Sequence, residues 1–89
     1  TRLTKLSATT TSSSGALLGG GSTLLVKNAG SAIAFIATGK DAATAVVDQS
    51  MPVLPNTVEA FTIPSQHNFV AAVTEAGAAT VYAIRNDGF

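Results

Sequence analysis

An all-β domain is what this sequence predicts, a small antiparallel sandwich or barrel, jelly-roll-like, of about six to eight strands. Three observations point there. Short runs rich in Val, Ile, Thr, Phe and Tyr recur at roughly 8–14-residue spacing, as in sandwiches and barrels. Turn residues stand between the runs: Asn28-Ala29-Gly30, Pro52 and Pro55, Pro64, and Glu75-Ala76-Gly77. No window sustains an apolar period of 3.6 residues.

Residues 1–8 read as a short strand or an arm, with Leu3 and Leu6 as their only sizeable apolar side chains. Residues 9–14 are six hydroxyl residues in a row, and Gly19-Gly20-Gly21-Ser22 follows a small apolar patch at Ala16-Leu17-Leu18. Gly- and Ser-rich runs are expensive to order and usually serve as flexible linker. The expected division is therefore a flexible N-terminal arm over 1–22 and a β domain over 23–89. The arm reads as a disordered tail, as a segment whose Leu17 and Leu18 dock on a neighbouring subunit, or as a loop inside the domain.

From residue 23 onward strands are predicted near 23–28, 32–38, 43–48, 57–63, 68–74 and 79–85. The stretch 23–39 reads as a hairpin turning at Asn28-Ala29-Gly30, with Gly30 at positive φ. A like hairpin is expected over residues 69–84 around Glu75-Ala76-Gly77. Residues 41–47 are ambiguous, because Ala favours helix, whereas Thr44, Val46 and Val47 are β-branched and favour strand. The segment 51–56 holds Pro52 and Pro55, so it is expected at a sheet edge or a crossover. Asn86-Asp87-Gly88 signals a last turn, with Phe89 left to tuck against the domain.

Composition narrows the function classes. The 89 residues make one domain, 46% hydrophobic but only 11% charged, against about 25% charged in an ordinary domain. Too few charges remain to coat a free surface in the usual way. In 32–38, Ile33, Phe35 and Ala37 face one side and Ala34, Ile36 and Thr38 the other. In 68–74 both faces are again apolar or small. A sandwich strand with one wet face should alternate apolar and polar. Either another subunit or surface covers the second face, or loops of the chain fold over it.

Arg2, Lys5, Lys27, Lys40 and Arg85 are scattered and balanced by five acids. That leaves no basic patch to displace counterions from nucleic acid and none for a membrane surface. No cysteine is present, so disulfides, thiolate metal sites and cysteine nucleophiles are excluded. No apolar run reaches the ~18 residues of a membrane span. The hydroxyl-rich residues 4–14 do not form the apolar core of a signal peptide.

Candidate chemistry is thin. His67 is the only histidine, and Ser65 two residues away in a turn makes no nucleophile–base pair. The acids Asp41, Asp48, Glu59, Glu75 and Asp87 form no doublet, and without Trp no sugar platform accompanies them. Gly15, Gly20 and Ser22 match part of a phosphate-loop spacing, but Gly21 stands where the lysine belongs and no helix pattern follows. No catalytic residue, metal ligand or cofactor is expected, and the chain reads as a non-enzyme.

The strand-and-turn opening Val26-Lys27-Asn28-Ala29-Gly30 is followed by Met51-Pro52-Val53-Leu54-Pro55 and Glu59-Ala60-Phe61-Thr62-Ile63-Pro64. Val70-Ala71-Ala72-Val73, a glycine turn and Thr80-Val81-Tyr82-Ala83-Ile84 close the series. In this succession residues 23–85 resemble the small β-structured virion proteins of tailed bacteriophages, of the head decoration or cement type. The resemblance implies a non-enzymatic protein that binds and stabilises the phage head lattice. It implies contacts with the major capsid protein or other virion proteins, a dimeric or trimeric homo-oligomer, and a place in the virion after assembly in the host cytoplasm. Alternatives are a head–tail junction, tail or fibre component, or a small glycan-binding β module. The resemblance has no catalytic motif to carry over. The residues expected at the contact surface are Leu3, Leu6, Leu17 and Leu18 in the arm, and Met51, Val53 and Leu54 in the loop.

Overall fold

The computed structural model describes residues 3–86. Eight strands occur: β1 (Leu3–Ala8), β2 (Ser13–Ala16), β3 (Thr23–Asn28), β4 (Ala34–Gly39), β5 (Met51–Val53), β6 (Val58–Thr62), β7 (Phe69–Thr74) and β8 (Ala79–Asn86). They form two four-stranded antiparallel sheets, ordered β1-β8-β3-β6 (sheet A) and β2-β7-β4-β5 (sheet B). No helix occurs among the described residues.

The order follows one rule. β1 pairs with β8, β2 with β7, β3 with β6 and β4 with β5, so the outgoing half of the chain runs antiparallel to the returning half. The long ribbon so formed then rolls up, and the β3–β8 and β4–β7 pairings close it. That is the jelly-roll arrangement of a double sheet.

This topology corrects two sequence expectations. The segments 23–39 and 69–84 are not hairpins: β3 and β8 lie in sheet A, β4 and β7 in sheet B, so each turn carries the chain across the sandwich. Local turn chemistry is the same for a hairpin and a crossing; the strands' partners decide between them, and those partners lie far along the chain. At the first crossing Asn28 is fully buried. Its Oδ1 accepts from Gly30 N at 2.9 Å, and its Nδ2 donates to Ala32 O at 2.7 Å and to Val53 O at 3.0 Å. The side chain closes the turn and ties it to edge strand β5. Gly30 is not among the glycines at positive φ; a Cβ there would lie 2.6 Å from Ala79 Cβ, so close approach requires the glycine. Gly77 does take positive φ (78°), as its turn predicts.

The division at 22/23 is corrected as well. Residues 3–22 contain β1 and β2, and both are full members of the sandwich. β1 pairs along its whole length with β8, while Ser13 to Ala16 pair with Ala72 to Phe69. Alternation in β1 points Thr4, Leu6 and Ala8 inward and Leu3, Lys5 and Ser7 outward. β2 has no β-forming composition, but β7 supplies its hydrogen bonds and β1 closes over it. A Cβ on Gly15 would lie 3.1 Å from Leu6 Cδ2, and Thr4 Oγ1 donates to Ala16 O at 2.8 Å. Entropy that disfavours ordering a Ser/Gly run is offset here by pairing and burial.

The core between the sheets holds Leu6, Leu17, Leu24, Val26, Ile36, Val53, Val70 and Val81, with alanines 8, 34, 72, 79 and 83. Small side chains suit two sheets approaching closely. A second cluster lies outside sheet B. There Phe35, Ala71 and Val73 are covered by Ala45, with Ala37, Ala43 and Val47 packed around them. The covering residues belong to the β4–β5 connection, so the predicted strand at 43–48 is instead a loop. Its backbone groups are satisfied locally: Gln49 N and Ser50 N donate to Val46 O, and Val46 N donates to Ser50 Oγ. Asp48 takes positive φ (64°), and Ser12 Oγ accepts from Ala45 N at 3.0 Å. The chain's own loop therefore explains why β4 and β7 are apolar on both faces. The last turn expected at Asn86-Asp87-Gly88, and Phe89, extend outside the described residues.

Candidate interaction surface

The polar side chains with candidate chemistry are used to hold loops. His67 Nδ1 is hydrogen-bonded to Thr38 Oγ1 at 2.8 Å, and His67 N donates to Pro64 O, so the ring clamps the β6–β7 turn to β4. Ser65 contributes its carbonyl to Arg85 Nη2. Arg85 is buried at the end of β8, with Nε on Gly21 O at 2.8 Å and Nη1 on Asn68 Oδ1 at 3.3 Å. It pins the loops before β3 and after β6. No buried side-chain polar atom among the described residues lacks a partner. No three His, Asp or Glu side chains gather among them in a way that could hold a metal ion.

The seven residues expected at a contact surface divide. Leu6, Leu17 and Val53 are core residues, which corrects their assignment: each points between the sheets, and contact with another protein would require opening the sandwich. Leu17 is also held by its amide, which donates to Asn68 O at 2.8 Å. Leu3, Leu18, Met51 and Leu54 are exposed, Met51 and Leu54 by more than half (56% and 55%).

Leu3 belongs to a larger surface that sequence reasoning missed. Cross-strand register places Leu3 opposite Ile84, Ile84 opposite Leu25, and Leu25 opposite Ala60. All four face outward, so one apolar row crosses the whole of sheet A. The next row reads Lys5, Tyr82, Lys27 and Val58. Lys5 Nζ sits 5.9 Å from the Tyr82 ring centre, within reach of a cation–π contact. No carboxylate points out of this face among the described residues. Sheet A thus presents an apolar band edged by two cations, whereas sheet B is closed by residues 40–50. The alternation of β3 and β8 was a usable signal, since Leu25, Tyr82 and Ile84 are large residues on the outward parity; the row itself needs the register.

A second feature adjoins it. Between edge strands β5 and β6 the sandwich opens on a cleft of about 310 Å³. Leu24, Ile36, Met51, Phe61 and Ile63 line it, with Thr38 at its polar side. Met51 and Phe61 are its rim. No protein family, no curated protein and no solved structure matches the chain.

Proposed function

We propose that the chain is a non-enzymatic structural protein of a phage virion, a decoration or cement protein that binds the major capsid protein on the head lattice. The observation that carries this reading is the asymmetry of the sandwich. One outer face is finished by the chain's own loop; the other exposes an apolar row spanning four strands. An unfinished face of this kind suits adhesion. Burying Leu3, Leu25 and Ile84 more fully would contribute about 1–2 kcal/mol each. The two lysines favour a partner whose apolar patch is ringed by carboxylates. On a lattice the same contact repeats, so a modest single-site affinity coats the particle when copies are also joined to each other. Met51 at the β5–β6 opening and the exposed Leu54 extend the contact, and Leu18 adds a third exposed apolar point.

The test is sedimentation of the purified protein with phage heads assembled without it. The reading requires saturable binding at a fixed number of copies per head. Absence of binding at any concentration refutes it, and a glycan-dependent signal on the host surface instead would move the protein to the fibre class.

A further inference from the structure

We propose that two copies of this chain join through strand β6, antiparallel about a two-fold axis at Ala60, making sheet A continuous across the pair. Asn28 N donates to Thr57 O, and Ile63 N donates to Ser22 O. These bonds fall on the same register as the β3–β6 pairs Leu24↔Phe61 and Val26↔Glu59. In an antiparallel pair hydrogen-bonded and non-bonded positions alternate. Thr57, Glu59, Phe61 and Ile63 therefore bond β3, and the N–H and C=O groups of Val58, Ala60 and Thr62 point to the open side. No strand pairs there among the described residues.

The other three edges are blocked against self-pairing. β5 is three residues long and carries Pro52, which has no N–H to give. β2 is covered at its edge by β1, with Thr4 Oγ1 occupying the carbonyl of Ala16. β1 carries Lys5 with its backbone outward on the open edge; a lysine on an edge strand disfavours pairing, and an axis at Lys5 would set it against Lys5, a like-charge pair that costs stability. β6 has none of these guards. It contains no proline and no lysine, and its one charge is Glu59.

Its sequence is also compatible with itself. About an axis at Ala60, Ala60 meets Ala60, Val58 meets Thr62, and Glu59 meets Phe61 rather than another Glu59. Small alanines at the axis let the backbones close to the ordinary strand spacing of about 4.8 Å. Three outward residues on each copy exchange both their groups, as β-strand addition requires, and the contact is isologous, so it stops at two. On the outer face the row Leu3–Ile84–Leu25–Ala60 then runs on into Ala60–Leu25–Ile84–Leu3 of the second copy. This pairing does not depend on the capsid reading, but it would double the length of the adhesive band.

The absence of cysteine from the chain makes a direct test available. Ala60→Cys places a single thiol at the axis, where paired Cα atoms lie about 5.5 Å apart, within disulfide range. Val58→Cys places it two residues off the axis, about 14 Å from its mate at ~3.4 Å rise per residue. Expected results are a light-scattering mass of twice 8.9 kDa for the unaltered protein, and more than tenfold faster air-oxidised dimer formation at position 60 than at 58. Ala60→Pro removes only an outward N–H and should return a folded monomer, checked by its circular dichroism. An unaltered protein that stays at the mass of one chain overturns the proposal. So does a dimer in which Cys at 60 cross-links no faster than Cys at 58; the cross-linking result stands even where Ala60→Pro does not fold.

Discussion

Asn28→Ala is the most informative single substitution for the fold. The side chain is fully buried and makes three hydrogen bonds of 2.7–3.0 Å, two given to the carbonyls of Ala32 and Val53 and one taken from Gly30 N. It is the link between the first crossing and edge strand β5. Each bond contributes about 0.5–1.5 kcal/mol net, and stranding the buried Val53 carbonyl costs more than the average. The expected loss is about 3 kcal/mol, against a total near 5–15 kcal/mol for an ordinary domain. In urea, with a slope of about 1–3 kcal/mol per M, the midpoint should fall by about 1–3 M with the slope unchanged. A loss under ~1 kcal/mol would refute the claim that this side chain locks the crossing. Asn28→Asp sharpens the test. It keeps the acceptor for Gly30 N but aims a carboxylate at two carbonyls, so the folded state prefers the protonated acid and its pKa rises above the unfolded value of about 3.9. The variant should be least destabilised below that value and lose stability as pH rises from 4 to 7.

Three further outcomes follow from the packing. Removal of residues 1–12 deletes β1, uncovers β8 and takes Leu6 and Ala8 from the core; the truncated chain should show no cooperative thermal transition, whereas a detachable arm would leave one. Gly30→Ala pushes a methyl to within 2.6 Å of Ala79 Cβ, and the overpacking should cost about 1–3 kcal/mol by denaturant titration. Val53→Ala should cost about 2 kcal/mol, while Met51→Ala two positions away stays within ~0.5 kcal/mol, because the first side chain is fully buried and the second is exposed.

The strands at 23–28, 57–63, 68–74 and 79–85 were legible because each is a run of β-branched, aromatic or apolar residues bounded by turn chemistry. Pro52 rightly placed its segment at an edge. β2 was not legible: Ser-Ser-Gly-Ala has no strand preference of its own and is held by β7, more than fifty positions away. Residues 43–48 failed for the opposite reason. Their β-branched residues suit a strand, but β5 already occupies the edge of sheet B, and the segment lays Ala43, Ala45 and Val47 as a cover over Phe35 and Val73. The candidate surface was half legible. Leu3, Met51 and Leu54 could be read as exposed apolar residues, but Leu6, Leu17 and Val53 could not be told from them without the inward parity of their strands. The row through Leu25 and Ile84 depends on a register that no local pattern specifies.

One outer face of the sandwich is finished by the chain's own loop and the other is not. Leu25→Asp on sheet A and Val46→Asp on the loop over sheet B both place a charge at a partly or fully exposed apolar position. The measurement is binding of both variants, each first shown to melt cooperatively, to phage heads assembled without the protein. The expected result is that Leu25→Asp loses binding by tenfold or more and that Val46→Asp binds as the unaltered chain does. Equal binding by the two variants, or loss confined to Val46→Asp, would contradict it.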